Sequence, residues 1–280
     1  GADLENMVNE AAILAARKNK KTINDHDFQE SIERVMLGPE RKSRVISRAE
    51  QRMTAFHEAG HAVIGYLLPN TDPVRKVTII PRGMSGGSTL FVPDEDVSYI
   101  SRSRMKNQLV IALGGRAAEE IVLNEITTGA SSDLEQVTKI ARAMVTRFGM
   151  SEKLGPMMFG QKEEMIFLGR EISEQRDYSE AVAEEIDTEV RALVTWAYDT
   201  ARQLIHENRA KLDLIAARLL EVETIDGVEF AALMQGMQLK PAQPPGAGET
   251  PAPRLRPKTD DGGGGGGSDL KPLGAAPSPA

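Results

Sequence analysis

The chain has 280 residues, a formal net charge of −7, no cysteine, and 40% hydrophobic and 27% charged residues. This length and composition are typical of a globular protein with one large or two small domains. The lack of cysteine excludes disulfides, thiol catalysis and cysteine-ligated metals. The negative charge argues against binding nucleic acid through a basic face, and no apolar stretch reaches the ~18 residues of a membrane-spanning helix.

The first half of the chain predicts helices around one strand pair. Apolar residues at helical spacing predict a small helical unit over residues 1–38, whose second helix begins at Asn24. A longer helix is predicted over 47–68, where Pro69 ends it. Residues 74–92 predict two strands joined by a glycine-rich link.

The second half of the chain is predicted to be helical up to a low-complexity tail. The predicted helices cover 101–124, 132–148 and 179–207, and two shorter ones end near Leu220 and Met234. Residues 239–280 hold nine of the 15 prolines and six consecutive glycines. Such a composition cannot bury enough apolar surface to offset its chain entropy, which predicts a disordered tail. The expected fold is therefore mainly α, with a small β-hairpin.

The segment His57-Glu58-Ala59-Gly60-His61 carries the strongest chemical signal. Residues i and i+4 of a helix project from the same face, with Cβ atoms about 5–6 Å apart. Two imidazoles in that position can bind one tetrahedral metal ion. Glu58 is rotated by about 100° from His57 around the helix and can act as a general base. The pattern is that of a metalloprotease.

A catalytic zinc site needs a third protein ligand, and here it should be a carboxylate. The candidates are Glu119 and Glu120 in the helix at 101–124, and Asp133 in the segment Thr127–Glu135. A capping box formed by Ser132 and Glu135 would place Asp133 in the first helical turn, where the helix dipole favours an ionised carboxylate. Spacing alone leaves the choice between Asp133 and the two glutamates open.

Two further roles are predicted around this centre. Glu119 or Glu120 could hold the second nitrogen of a ligating histidine, as carboxylates near metal sites often do. The second predicted strand, with Thr89, Leu90 and Phe91, could bind substrate as an added strand at the sheet edge. An ordinary core hairpin explains the same residues equally well.

Several motifs, in order, resemble the FtsH family of membrane-anchored, ATP-dependent zinc metalloproteases. These are GADLENMVNEAA, TAFHEAGHAV, KVTIIPRG, ALGGRAAEEI, TTGASSDLEQVTKIARAMVTRFGMSEKLGP and FLGR. The resemblance implies that His57 and His61 bind zinc, that Glu58 is the catalytic base, and that Asp133 is the third ligand. It also implies a zinc-dependent endopeptidase that degrades unfolded and membrane proteins.

The resemblance further implies an organisation and a setting for the chain. Residues 1–45 are expected to be the end of the helical lid of an ATPase module, and 46–238 the zinc peptidase domain, while the tail at 239–280 has no family counterpart. The ATPase core that binds ATP and Mg²⁺ and the membrane anchor are absent from this chain. The intact protein is expected to be a homohexamer at the cytoplasmic side of the inner membrane, and this fragment to be soluble without nucleic-acid partners.

The sequence also permits two alternatives to this interpretation. The chain could be an inactive helical scaffold of a hexameric ATPase, although the intact His57, Glu58 and His61 argue against that. It could also be an enzyme that uses Glu119 or Glu120, rather than Asp133, as the third ligand.

Overall fold

The computed structural model describes residues 1–39, 46–83, 85–93, 98–160 and 178–237, which all belong to one compact unit. The predicted tail lies outside these residues. A mainly helical fold with a small antiparallel sheet is confirmed. The described helices are α1 (Ala2–Arg17), α2 (Asp25–Leu37), α3 (Arg48–Leu67), α4 (Arg102–Ala112), α5 (Gly114–Leu123), α6 (Ser131–Thr146), α7 (Glu180–Glu207), α8 (Arg209–Val222) and α9 (Gly227–Met234). None of them combines the length and apolar character needed to cross a bilayer.

Side-chain caps determine where several helices begin. Asn24 forms a capping box with Asp27 at the start of α2, and Ser47 accepts a hydrogen bond from the backbone N–H of Glu50 at the start of α3. Each cap satisfies a backbone donor that the first helical turn leaves without a partner. The predicted helices that begin at these residues are therefore confirmed.

The start of α6 differs from the prediction. The helix begins at Ser131, and Ala130 precedes it without a side-chain cap, because a short 3₁₀ turn at Thr128–Ala130 leads directly into it. The capping box predicted for Ser132 and Glu135 is therefore wrong, since Ser132 already lies inside the helix. Asp133 nevertheless occupies the first turn of α6, as predicted.

The helix predicted over 101–124 is divided into two. The chain departs from ideal helical geometry at Leu113, where φ is −86° and ψ is −5°, and α5 begins at the following residue. A Cβ atom on Gly60 would lie 2.4 Å from the backbone oxygen of Gly114, and a Cβ atom on Gly114 would lie 2.8 Å from that of Gly60. Glycine at both positions therefore allows α3 and α5 to cross at backbone contact, which brings α5 over the histidines.

Helix α3 is the centre of the core. Its residues from Ala55 to Gly65 are almost all buried, and the helix packs against α5, α8 and the sheet. Ala59, Val63 and Ile64 are fully buried and join the main apolar cluster. The histidine-bearing turn is therefore held rigidly inside the domain.

The sheet contains β1 (Val74–Thr78), β2 (Ser88–Phe91) and β3 (Thr224–Asp226), all antiparallel, in the order β2-β1-β3. The strand pair β1–β2 is confirmed. The expectation of a single strand pair was incomplete, because β3 is only three residues long and gives no sequence signal. Its pairing is decided by burial, since fully buried Ile225 lies opposite Val77. Strand β2 lies at the edge of the sheet.

Helices α1 and α2 pack on each other, and α2 contacts the sheet through an ion-pair cluster. The carboxylate of Glu33 in α2 lies 2.9 Å from Lys76 Nζ in β1 and 2.9 Å from Arg82 Nη2 in the turn that follows. Glu33 and Arg82 are buried. A buried charge is costly unless it is paired, so these contacts tie the first helical unit to the sheet.

Candidate metal centre

The two histidines of α3 face each other one helical turn apart. Their Nε2 atoms are 3.0 Å apart, and the rings meet at 81° with centroids separated by 4.7 Å. The spacing of His57 and His61 along the helix predicted this arrangement. Glycine at position 115 makes room for it, because a Cβ atom there would lie 2.6–2.7 Å from three atoms of the His57 ring.

Asp133 completes a cluster of three potential ligands. Its Oδ2 atom lies 3.2 Å from His57 Nε2 and 3.5 Å from His61 Nε2. The residue lies in the first turn of α6, directly after the 3₁₀ turn at Thr128–Ala130. In the described part of the chain, these three residues form the one group that could hold a metal ion.

The outer nitrogen of each imidazole has a separate hydrogen-bond acceptor. His57 Nδ1 donates to Glu119 Oε1 at 2.7 Å, and His61 Nδ1 donates to the backbone oxygen of Ile111 at 2.7 Å. Because a carboxylate and a carbonyl can only accept, both Nδ1 atoms carry hydrogen. The lone pairs of neutral imidazoles are then on Nε2, directed towards Asp133.

This donor set fits a zinc ion. Two imidazole nitrogens and a carboxylate oxygen converge on one point, which is unfavourable unless a proton or a metal cation lies between them. Tetrahedral zinc with bonds of 2.0–2.1 Å places its ligand atoms about 3.3 Å apart. The observed separations of 3.0, 3.2 and 3.5 Å agree with that value. Three protein ligands also leave the fourth position that a catalytic site requires.

The two candidate glutamates of α5 have different surroundings. Glu119 is 1% exposed, and besides His57 its carboxylate accepts hydrogen bonds from the backbone N–H and the hydroxyl of Thr127. Glu120 accepts a hydrogen bond from the hydroxyl of Tyr198 and lies near Arg202. The structure therefore brings Glu119 to the histidines and directs Glu120 to α7.

Glu58 is buried beside the histidines and contacts the edge strand. Its Oε2 atom lies 2.7 Å from the hydroxyl of Thr89, and the residue is 6% exposed. Burial raises the pKa of Glu58, although the neighbouring histidines oppose this by favouring the ionised form. A carboxyl group with a raised pKa is suited to general acid–base chemistry near neutral pH.

The metal-free site has strongly shifted pKa values. Burial by itself would lower the pKa of His57, but hydrogen bonds to Asp133 and Glu119 overcome this and raise it to about 10. Burial likewise acts to raise the pKa of Asp133, and its contacts with both histidines hold that pKa well below its usual range. In the metal-free protein, a proton on His57 thus compensates the carboxylates that a cation would otherwise neutralise.

An open cleft of about 920 Å³ exposes this centre along the edge strand. Thr89, Leu90 and Phe91 line it, together with Glu58, His57 and Asp133. The structure therefore brings all the predicted site residues except Glu120 to one cleft. The backbone oxygen of Ile111 and the hydroxyl of Thr127 were not foreseen from sequence, because backbone acceptors carry no residue signal and Thr127 is a common turn residue.

Zinc affinity is expected to rise about tenfold per pH unit from neutral pH to about 10. The metal-free protein carries a proton on His57, whose pKa is raised to about 10, and each bound ion displaces it. Chelator competition at several pH values would measure the slope, and an affinity independent of pH would contradict the expectation.

The stability of the metal-free protein, in contrast, should fall as the pH rises. A raised histidine pKa contributes fully to stability below the unfolded-state value of about 6.5, and this contribution is lost as pH rises towards 10. Thermal unfolding of the metal-free protein, followed from neutral pH upward, would measure this loss of stability.

A helical domain with an HExxH segment and a third, carboxylate ligand is typical of zinc-dependent metallopeptidases. Comparison with known families agrees with this class. Residues 44–233 match peptidase family M41, and residues 1–30 match the AAA+ lid domain. The chain therefore belongs to peptidase family M41.

Curated relatives support the same assignment. The chain is 58% identical over 239 residues to the ATP-dependent zinc metalloprotease FtsH of Chloroflexus aggregans, which covers 84% of the chain and 36% of that protein. It is 55% identical over 241 residues to the ATP-dependent zinc metalloprotease FtsH 1 of Thermomicrobium roseum, covering 86% of the chain and 37% of that protein. The chain thus spans little more than a third of the length of these relatives.

Proposed function

We propose that the chain is the peptidase part of an ATP-dependent zinc endopeptidase, with His57, His61 and Asp133 as the zinc ligands and Glu58 as the general base. The observation that carries this proposal is the convergence of His57 Nε2, His61 Nε2 and Asp133 Oδ2 within 3.0–3.5 Å, beside a buried glutamate. When bound, zinc lowers the pKa of water towards 7 and polarises a carbonyl oxygen.

The residues of this chain have distinct tasks in peptide hydrolysis. Glu58 accepts the proton of the attacking water and passes it to the nitrogen of the leaving amine. Glu119, which accepts the hydrogen bond of His57 Nδ1, fixes the orientation and tautomer of that ring. Ile111 does the same for His61 through its backbone oxygen.

The substrate is proposed to be an extended polypeptide bound along β2. The strand lies at the edge of the sheet and borders the cleft through Thr89, Leu90 and Phe91. An extended segment added at such an edge uses main-chain hydrogen bonds, which do not depend on side-chain identity. This mode of binding suits unfolded proteins of varied sequence.

The larger assembly is proposed from the relatives and from the match to the AAA+ lid. We infer that residues 1–45 complete the lid of an ATPase module and that residues 46–238 form the peptidase domain. ATP and Mg²⁺ act through that module, which threads unfolded and membrane proteins into a homohexamer at the cytoplasmic side of the inner membrane. The names of the relatives support the ATP dependence and the zinc.

Removal and return of the metal tests the proposed activity. Treatment with a chelator is expected to abolish cleavage of unfolded casein, and one equivalent of zinc per chain should restore it. The native mass measured on the same sample would show the assembly state of the active species. An assembled chain that binds zinc but cuts no unfolded protein would instead support the scaffold interpretation.

A further inference from the structure

The half-buried side chain of Thr89 contacts the proposed base. Its hydroxyl oxygen lies 2.7 Å from Glu58 Oε2 and 3.1 Å from the backbone oxygen of the same residue. A hydroxyl group has one proton to donate. The carboxylate is the nearer and the more strongly charged acceptor, so it receives the hydrogen bond.

The edge strand confines Glu58 from a second direction as well. A Cβ atom on Gly87 would lie 2.9 Å from Glu58 Cγ and 2.7 Å from the backbone oxygen of Thr78. The backbone before β2 therefore closes on the glutamate stem, while Thr89 binds one oxygen of its carboxylate. A glutamate side chain otherwise has several rotatable bonds, and both contacts restrict them.

Thr89 itself is held by the core of the sheet. It pairs with Val77 of β1, and on the other side Val77 pairs with Ile225 of β3; Val77 and Ile225 are both fully buried. The position of the hydroxyl is thus set by the pairing of β2 with β1, the central strand of the sheet. A catalytic group supported by such a rigid element keeps the geometry that proton transfer requires.

We propose that Thr89 is a positioning residue for Glu58: its hydroxyl group anchors one carboxylate oxygen and thereby directs the other towards the histidine–aspartate centre. This rests on the proposed function, in which Glu58 is the base. The role differs from that of a substrate contact, because the backbone of β2 binds the peptide while this side chain holds the glutamate. The proposal explains why the edge strand and the base lie side by side.

Two matched pairs of variants test the proposal in the zinc-loaded 280-residue chain. In the first pair, Thr89→Val replaces the hydroxyl group of the wild-type threonine with a methyl group. In the second pair, Thr89→Ser and Thr89→Ala differ only by the hydroxyl oxygen. We expect the valine and alanine variants to lose about 10- to 100-fold in kcat, with KM and zinc stoichiometry unchanged. The serine variant should remain within about threefold of the wild type, since it keeps the donor.

Controls distinguish a failure of the positioning role from a failure of the proposed function. Thr138→Val removes a hydroxyl that bonds only within α6, at Leu134, and should leave kcat unchanged. Thr89→Val added to Glu58→Gln should cause no further loss, because the base is already absent. If Glu58→Gln itself cleaves as fast as the wild type, the proposed function fails, whatever the Thr89 variants do.

Other results would overturn the positioning role specifically. Wild-type kcat in Thr89→Val, or equal losses in the serine and alanine variants, would show that the hydroxyl group does not act. A loss confined to KM would make Thr89 a substrate contact, and a loss of bound zinc would make it a support of the metal site. If the valine variant fails to fold, the serine–alanine pair gives the same decision.

Discussion

Replacing Glu58 with glutamine is expected to reduce cleavage of an unfolded protein by about 10²- to 10⁴-fold while leaving zinc bound. Glutamine has nearly the same shape as glutamate and still presents an oxygen to the hydroxyl of Thr89, but it cannot accept the proton of the attacking water. The three proposed ligands are untouched, so zinc stoichiometry and thermal unfolding should remain those of the wild type.

The chain offers a close control for this experiment. Glu120→Gln makes the same chemical change on α5, where the carboxylate accepts a hydrogen bond from Tyr198 instead of contacting the histidines. Its cleavage rate should stay within about twofold of the wild type, as expected for a change outside the catalytic groups. A Glu58→Gln variant that keeps both its zinc and its full activity would remove the base from the proposed mechanism.

Replacing Asp133 with alanine is expected to weaken zinc binding by about 10²-fold or more and to abolish cleavage at limiting zinc. Loss of supporting groups around a metal typically costs 10- to 100-fold in affinity, and loss of a ligand costs at least as much. The carboxylate lies 3.2 and 3.5 Å from the two Nε2 atoms. Among the described residues, no other carboxylate belongs to the group that could hold a metal ion, so none is in place to substitute for it. Competition with a zinc chelator would measure the change.

The control for this variant lies two residues further along the same helix. Glu135 is exposed and pairs with Lys139 one turn later, so Glu135→Ala should leave zinc affinity unchanged. Glu119→Ala distinguishes the remaining alternative, because it should lower zinc affinity less than Asp133→Ala does. Wild-type affinity in Asp133→Ala, together with a large loss in Glu119→Ala, would make Glu119 the third ligand.

Local sequence patterns predicted the elements that depend on neighbouring residues. The i, i+4 histidines lie on one face of α3, and Asn24 and Ser47 cap the helices that they were expected to begin. These features follow from helix periodicity and from backbone donors that only a nearby side chain can satisfy. The choice of Asp133 over the glutamates came from family resemblance, because spacing along the chain contains no distance between separate helices.

The sequence by itself therefore determined the mainly helical architecture and the β1–β2 pair. It also determined that the imidazoles of His57 and His61 lie on one face of α3, with Glu58 next to them in the chain. Only the tertiary structure decided the break at Leu113, the third strand at Thr224–Asp226 and the separate surroundings of Glu119 and Glu120. Each of these depends on contacts between segments far apart in the chain. The close crossing of α3 and α5, which two glycines permit, directs one of two adjacent glutamates to His57 and leaves the other facing α7.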